Sequence, residues 1–242
     1  TLVDALLPAK PVNARAPVSL RWRAPAPTPT NLHASLYLLD AAGHLWAEVG
    51  GLVLNEVTFP TSAWAPGEWA DDALTLKPPE RIPPGAYGVQ LIVTDARGAQ
   101  LGAWDAEGKF LGVRVSLGNV EIEPPAKPAG AAQCAEGRAV AAGPLEACVP
   151  ALPTQTAPSG DSLTLPLTWS AVAPPRADYS VRWRLLDDAG SVALEQVTDL
   201  SPYPTSRWRE KDSFEARYDL RLEPTLPAAA YSLRFNVLTP DG

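Results

Sequence analysis

The feature that most constrains this chain is that it is written twice. SLRWRAPAPTPTNLHASLYLLDAAG, from Ser19, lies over TLPLTWSAVAPPRADYSVRWRLLDDAG, from Thr164. Trp22 meets Trp169, Leu39 meets Leu186, Asp40 meets Asp187 and Gly43 meets Gly190, all at an offset of 147. Further on, PTSAW at Pro60–Trp64 meets PTSRW at Pro204–Trp208, and IPPGAYGVQLIV at Ile82 meets LPAAAYSLRFNV at Leu226, both at an offset of 144. Matches in the same order, with one short gap, imply duplication. The period is too long for a solenoid unit and fits two copies of a complete domain.

Each copy reads as strands. Val18, Leu20 and Trp22 alternate with Ser19, Arg21 and Arg23, and Leu165, Leu167 and Trp169 repeat the phase. Leu32, Ala34, Leu36 and Leu38 match Tyr179, Val181, Trp183 and Leu185; Tyr87, Val89, Leu91 and Val93 match Tyr231, Leu233, Phe235 and Val237. Period-two alternation puts one face on a core and the other in water. No stretch sustains a period of 3.6. Asp40-Ala-Ala-Gly43 and Asp187-Asp-Ala-Gly190 are hairpin turns by composition: Asp accepts from the turn backbone and Gly tolerates the positive φ that follows. The tyrosine that enters a strand straight after a proline corner, Tyr87 and Tyr231, suggests the tyrosine corner of immunoglobulin-like sandwiches, whose hydroxyl bonds upstream backbone. The expected fold is therefore all-β: two tandem immunoglobulin-like antiparallel β-sandwich domains.

Boundaries follow from the repeat. Residues 1–124 form repeat 1, with final strands expected at Phe110–Leu117 and Val120–Glu123. Residues 125–144 read as a linker with a Cys-bounded loop, and 145–242 as repeat 2. Nothing after Gly242 corresponds to Leu101–Ile122, so repeat 2 is expected to lack its last strand or strands. An unfinished sandwich exposes a strand edge, so the chain is expected to continue or to receive a strand from a neighbour. With no methionine in the sequence, Thr1 is not a start, and the chain is expected to be processed or part of something longer.

Lysine and arginine total 20 against 27 acidic residues, a net charge of −7. Phosphate binding needs concentrated cationic charge, so nucleic acid is not expected as a partner. No apolar run approaches the roughly 18 residues of a membrane span. Cys134 and Cys148 favour a local disulfide closing a hairpin or loop; two buried free thiols are the alternative. Two cysteines without nearby histidines cannot complete a zinc site. A disulfide would place the chain in an oxidising, extracytoplasmic compartment, secreted or at the cell surface.

With these residues in view, both copies resemble a module of the extracytoplasmic C-terminal regions of bacterial membrane glycosyltransferase-like proteins, those likened to dolichyl-phosphate-mannose protein mannosyltransferases. The shared text is SLRWRA or TLPLTWSA, then LLDAAG or LLDDAG, then PTSxW followed by GE or KD, then the LPPGxY-like corner. It covers most of both copies, and departs where LPAAAY lacks the glycine and where Lys211 replaces Gly67. The resemblance implies a surface-exposed sandwich appended to a larger assembly, without catalytic residues of its own.

Candidate sites are few. A serine nucleophile needs a base, usually histidine. The chain has only His33 and His44, whose counterparts are Ser180 and Ser191, and Ser62 and Ser206 stand in no nucleophile elbow. No catalytic residue, metal ligand set or cofactor is assigned. Asp71-Asp72, Asp187-Asp188 and Asp105 with Glu107 read as solvated turns before they read as calcium ligands, and a glycosidase pair of carboxylates is not seen. Trp22, Trp64, Tyr87, Trp169, Trp208 and Tyr231 recur in both copies and read as structural. Trp46, Trp69 and Trp104 have no tryptophan counterpart, so the shared fold does not demand them. Aromatic side chains of this kind stack on sugars or anchor interfaces. The expected role is therefore non-enzymatic, structural or protein-interacting, toward a protein partner or a neighbouring copy, with a glycan as the alternative ligand.

Overall fold

The computed structural model describes residues 1–52, 59–132, 134, 137–150 and 155–240. Leu152 and Gly242, and residues 133, 135 and 136 of the expected linker and Cys-bounded loop, lie outside them. Sixteen strands run through the described residues: β1 Leu2–Leu6, β2 Ala16–Arg23, β3 His33–Leu39, β4 Leu45–Leu52, β5 Trp69–Leu76, β6 Gly85–Thr94, β7 Ala103–Trp104, β8 Phe110–Gly112, β9 Val115–Ile122, β10 Gly137–Ala142, β11 Leu145–Pro150, β12 Ser162–Ala171, β13 Ser180–Leu186, β14 Val192–Asp199, β15 Ser213–Arg221 and β16 Ser232–Leu238. Among these residues no helix is long and apolar enough to cross a membrane.

The chain divides into unit 1, Thr1–Glu80 with Pro84–Pro124, and unit 2, Arg81–Pro83 with Pro125–Gly242. Unit 1 contains sheets of order β1-β2-β5 and β4-β3-β6-β9 plus the β7-β8 hairpin; unit 2 contains β10-β11-β12-β15 and β14-β13-β16. Every strand pair is antiparallel. The alternation read from the sequence is what makes these faces. Along β2 every second residue is buried, from Ala16 to Trp22, and outward Arg21 pairs with outward Asp71 of β5. In unit 2, Leu165, Leu167 and Trp169 of β12 share one core with Val181 and Trp183 of β13 and with Phe214, Ala216 and Tyr218 of β15. Trp169 meets Phe235 of β16 edge-on, centroids 6.0 Å apart, so the two sheets interlock through aromatic rings.

The turns repeat atom for atom. Gly43 and Gly190 take φ of 90° and 80°. Their N–H groups donate to the carbonyls of Asp40 and Asp187, and the Asp Oδ1 atoms accept from His44 N and Ser191 N at 2.9 and 2.8 Å. The same device closes the turns at Asp95 and Asp105, so Asp105 serves its own backbone. Tyr231 donates from its hydroxyl to the Pro227 carbonyl four residues upstream at 2.8 Å.

Two departures from the sequence reading have physical reasons. The segment read as a linker contains β10, paired with β11; its residues, GRAVAA, are too small to display an apolar period. The expected disulfide is present: Cys134 and Cys148 are bonded with Cα atoms 5.5 Å apart, and the second of them lies in β11. The break expected between Leu117 and Val120 is instead a bulge inside β9, where Gly118 adopts φ 123°, and the chain leaves its strand earlier, at Val113–Arg114. As for the expected missing strand, β6 pairs with β3 on one side and β9 on the other, whereas β16, among the described residues, pairs with β13 alone. The inward residues Tyr87, Val89 and Leu91 of β6 are buried, while their counterparts, Tyr231 just ahead of β16 and Leu233 and Phe235 on it, stay partly open.

Candidate functional site

The twice-written Pro-Thr-Ser-x-Trp forms a one-turn 3-10 helix in each unit, at Thr61–Ala63 and Thr205–Arg207. Proline ahead of it holds an extended backbone, which ends the preceding segment. The buried Thr61 hydroxyl accepts from Leu32 N at 2.9 Å and donates to the Thr30 carbonyl at 3.1 Å; Thr205 does the same with Tyr179 N and the Ala177 carbonyl, both at 2.9 Å. The Ser62 and Ser206 N–H groups donate to Asn31 Oδ1 and Asp178 Oδ1. Trp64 and Trp208 are buried, each donating its indole N–H to a carbonyl five residues upstream, Phe59 and Tyr203, at 3.1 Å. Ser62 is exposed, and neither it nor His33 lines the cavity described below.

One position in this loop differs usefully. Gly67 sits at φ 90° and Lys211 at φ 69°, and each donates its N–H to the equivalent carbonyl, of Ala24 or Ala171. The loop shape thus survives the loss of glycine, with a lysine in the left-handed region at a cost of roughly 1 kcal/mol. Its Glu210 ion pair, 3.7 Å long and exposed, contributes little. Lys211→Gly is expected to stabilise unit 2 by about 0.5 kcal/mol, the strain relieved outweighing the added freedom of the unfolded chain. A chemical-denaturation midpoint checks it; a loss of stability contradicts it.

The three tryptophans of copy 1 separate. Trp46 is 7% exposed, so it is a core group and no surface platform. It is the extra residue of a bulge between Leu38↔Ala47 and Leu39↔Leu45, which turns it inward. Its edge meets Tyr87, centroids 6.1 Å apart, and its indole N–H donates to Asp40 Oδ2 at 2.9 Å. Burial pushes the Asp40 carboxyl up, but hydrogen bonds from Trp46, the His44 backbone and the His44 ring outweigh it and hold the carboxyl below its ordinary range. The copy-2 residue at this bulge, Ala193, is exposed, so its sequence gives no hint of an inward position.

Trp69 and Trp104 are 54% and 60% exposed. Trp69 opens β5 opposite Arg23, whose guanidinium carbon lies 5.4 Å from the ring centroid, a cation–π pair. Trp104 packs on Phe110 across the β7-β8 hairpin, centroids 5.2 Å apart. Phe110, Leu111, Leu101 and Val113 are exposed too, so the hairpin carries an apolar patch. Behind it lies a cavity of about 460 Å³ within unit 1, lined among others by Trp22, Trp64, Leu91, Val93, Leu101 and Trp104.

The two copies differ in one buried bond. In unit 2, Trp169 donates its indole N–H to Tyr218 Oη at 2.7 Å, and the Tyr218 hydroxyl donates to the Leu200 carbonyl. Burial pushes the Tyr218 phenol strongly up, keeping it protonated. In unit 1 the residue at the position of Tyr218, in register on the neighbouring strand, is Leu74. The buried Trp22 indole N–H is left without a partner among the described residues. The Leu74–Tyr218 exchange and Arg23 escaped the sequence reading, although the first is visible at the offset of 144. Among the described residues no group of three or more His, Cys, Asp or Glu side chains could hold a metal ion.

Comparison with known proteins adds little. No family model matches, and no curated protein matches. Among solved structures, the calcium binding domain CBD12 of CALX1.1 aligns at 10% identity and a TM-score of 0.26, over 97% of this chain and 79% of that one. The red sea bream transglutaminase gives 8% and 0.26 over 99% of this chain, and the putative β-galactosidase of Bacteroides fragilis 11% and 0.24 over 96%. The chain spans about a third of those two enzymes' lengths, 30% and 31%. Scores this low carry no functional argument.

Proposed function

We propose that this chain is a non-catalytic pair of immunoglobulin-like sandwiches held outside the cytoplasm, whose first unit presents the β7-β8 hairpin to a protein partner. The observation that carries the reading is the exposed ring pair Trp104 and Phe110, with exposed Leu111 next in sequence, on a hairpin built into copy 1. Large apolar side chains grouped on one exposed feature cost solubility unless something covers them, and aromatic residues dominate interface energetics. The Cys134–Cys148 disulfide supports an oxidising compartment, and the proline-then-tyrosine corner at Tyr231 supports the immunoglobulin-like plan. The resemblance to tails of membrane glycosyltransferase-like proteins supports an exposed appendage of a larger protein. The buried Thr61 and Thr205 hydroxyls are engaged in the loops they build, which favours a structural reading of that motif.

The test is photo-crosslinking of the parent protein on its own cells, with benzoylphenylalanine at position 104 or at exposed position 188. One discrete cross-linked species from 104 alone is expected. Equal yields from both sites, or none from 104, overturn the reading. Sedimentation velocity separates a neighbouring copy from a different partner.

A second reading rests on Trp69. Arg23 occupies one face of its ring and the exposed remainder is free to stack on a pyranose. Tryptophan fluorescence titrated with a glycan panel should respond in the native chain and fail in Trp69→Ala. No response from any glycan overturns it.

A further inference from the structure

We infer that unit 2 pairs with a second copy of this chain through β16, edge to edge and antiparallel, in a twofold dimer that sets Phe235 opposite its own copy. The duplicated fold supplies the first observation. β6 and β16 stand at matched places, and β9 lies along β6, adding the buried Val120 and Ile122 to the core. Among the described residues β16 pairs with β13 alone. The difference shows in burial. Val89 and Leu91 are covered, while Leu233 and Phe235 in their places stay partly open. A strand laid along β16 would cover them as β9 covers β6, and a row of free main-chain N–H and C=O groups is a template for such pairing.

The second observation is that this edge is not blunted. The edge strands β1, β4 and β14 each carry a register shift against their neighbour, an irregularity that discourages foreign pairing. β16 pairs with β13 through seven successive residues without a shift, and it contains no proline. Its residues, SLRFNVL, also fit themselves. Antiparallel partners share a face of the sheet, so a register that buries Leu233, Phe235 and Val237 must set apolar opposite apolar. The one that pairs all seven residues centres on Phe235. Leu233 then faces Val237 of the other copy and Arg234 faces its Asn236, so no like charges stand opposite. Centring on Arg234 instead would set two guanidinium groups against each other. In the favoured register the sheets join as β14-β13-β16-β16-β13-β14. The twofold axis stands perpendicular to the sheet, so both inner faces turn to the same side. The partly open apolar residues of each copy then extend one core.

Sedimentation velocity of the whole chain is expected to show a concentration-dependent dimer with twice the 25.7 kDa mass of the chain. Asn236 is exposed on the outer face, so it can be changed without touching the core, which circular dichroism checks. Asn236→Asp gives Arg234 an acid opposite it twice per dimer and should tighten association about 2- to 30-fold. Asn236→Arg sets like charges there and should weaken it by a similar factor. Opposite responses from one position are the signature of this register. Hydrogen exchange gives a second readout: amides of β16 should gain protection as chain concentration rises. A chain still monomeric at roughly 100 µM, or a dimer indifferent to both Asn236 variants, overturns the proposal. A dimer lost in Trp104→Ala is made by the hairpin and overturns it as well. A monomer that instead binds a synthetic peptide of residues 113–123, which carry β9, has an edge open to a foreign strand, and self-pairing is overturned. An edge dimer whose position 104 cross-links to nothing sinks the hairpin reading alone, so the two fail separately.

Discussion

Trp208→Ala is expected to cost unit 2 about 3–5 kcal/mol, the range for removing a large buried aromatic. The indole is 2% exposed and meets Phe214 edge-on with centroids 5.0 Å apart. Its N–H donates to the Tyr203 carbonyl, tying the loop ahead of the 3-10 turn to the turn's far end. Alanine removes the ring contact, leaves a void between sheets and frees that carbonyl. Trp208→Phe keeps most of the volume and should lose about 1–2 kcal/mol, the share owed to the hydrogen bond. Denaturant titrations of the two variants separate the terms. A loss below about 1 kcal/mol for alanine would show that the tryptophan is not structural.

Tyr218→Phe is expected to cost about 2–4 kcal/mol, although it deletes a single oxygen. The hydroxyl stands between two buried groups, accepting from Trp169 Nε1 and donating to the Leu200 carbonyl, and phenylalanine strands both. Stranding a buried donor or acceptor costs about 1–3 kcal/mol each. The double variant Tyr218→Phe, Trp169→Phe removes the stranded donor along with its partner. Trp169→Phe should therefore cost less when Tyr218→Phe is already in place than it does alone. A double-mutant cycle in urea reads that coupling; additivity would contradict the relay.

Much of the fold is legible in the sequence because sandwich strands alternate, and because a duplicated text shows which residues the architecture retains. Leu20, Trp22, Leu165 and Trp169 announce their faces by phase, and the offset that aligns Trp64 with Trp208 also aligns the threonines beside them. What the text hides has physical causes. Trp46 faces inward only because a bulge shifts its phase by one, and no period records a bulge. β10 is strand by virtue of its neighbour β11, since alanine and glycine show no preference strong enough to read. The cavity is hidden for another reason. It forms where Leu101, Trp104 and Leu111, from a segment without a counterpart in copy 2, meet Trp22, Leu91 and Val93, and no period records such a meeting. The exposure of Trp69 and Trp104 fits their lack of a tryptophan twin, whereas Arg23 over Trp69 is a pairing across strands that only the register reveals.

The hydrogen bonds that hold the Pro-Thr-Ser-x-Trp loop run mostly from side chains to main-chain atoms. Thr61 and Thr205 bond backbone at both ends, and the indoles of Trp64 and Trp208 bond carbonyls. Every residue supplies a carbonyl whatever its side chain, and every one but proline an N–H. The partner positions are accordingly free to drift: Thr30 stands against Ala177, Leu32 against Tyr179, Phe59 against Tyr203. Contacts of this kind leave no correlated substitutions behind them. Methods that infer proximity from paired changes between columns would be blind to these bonds in both sandwiches, and would see in their place only a solitary unchanging threonine and tryptophan.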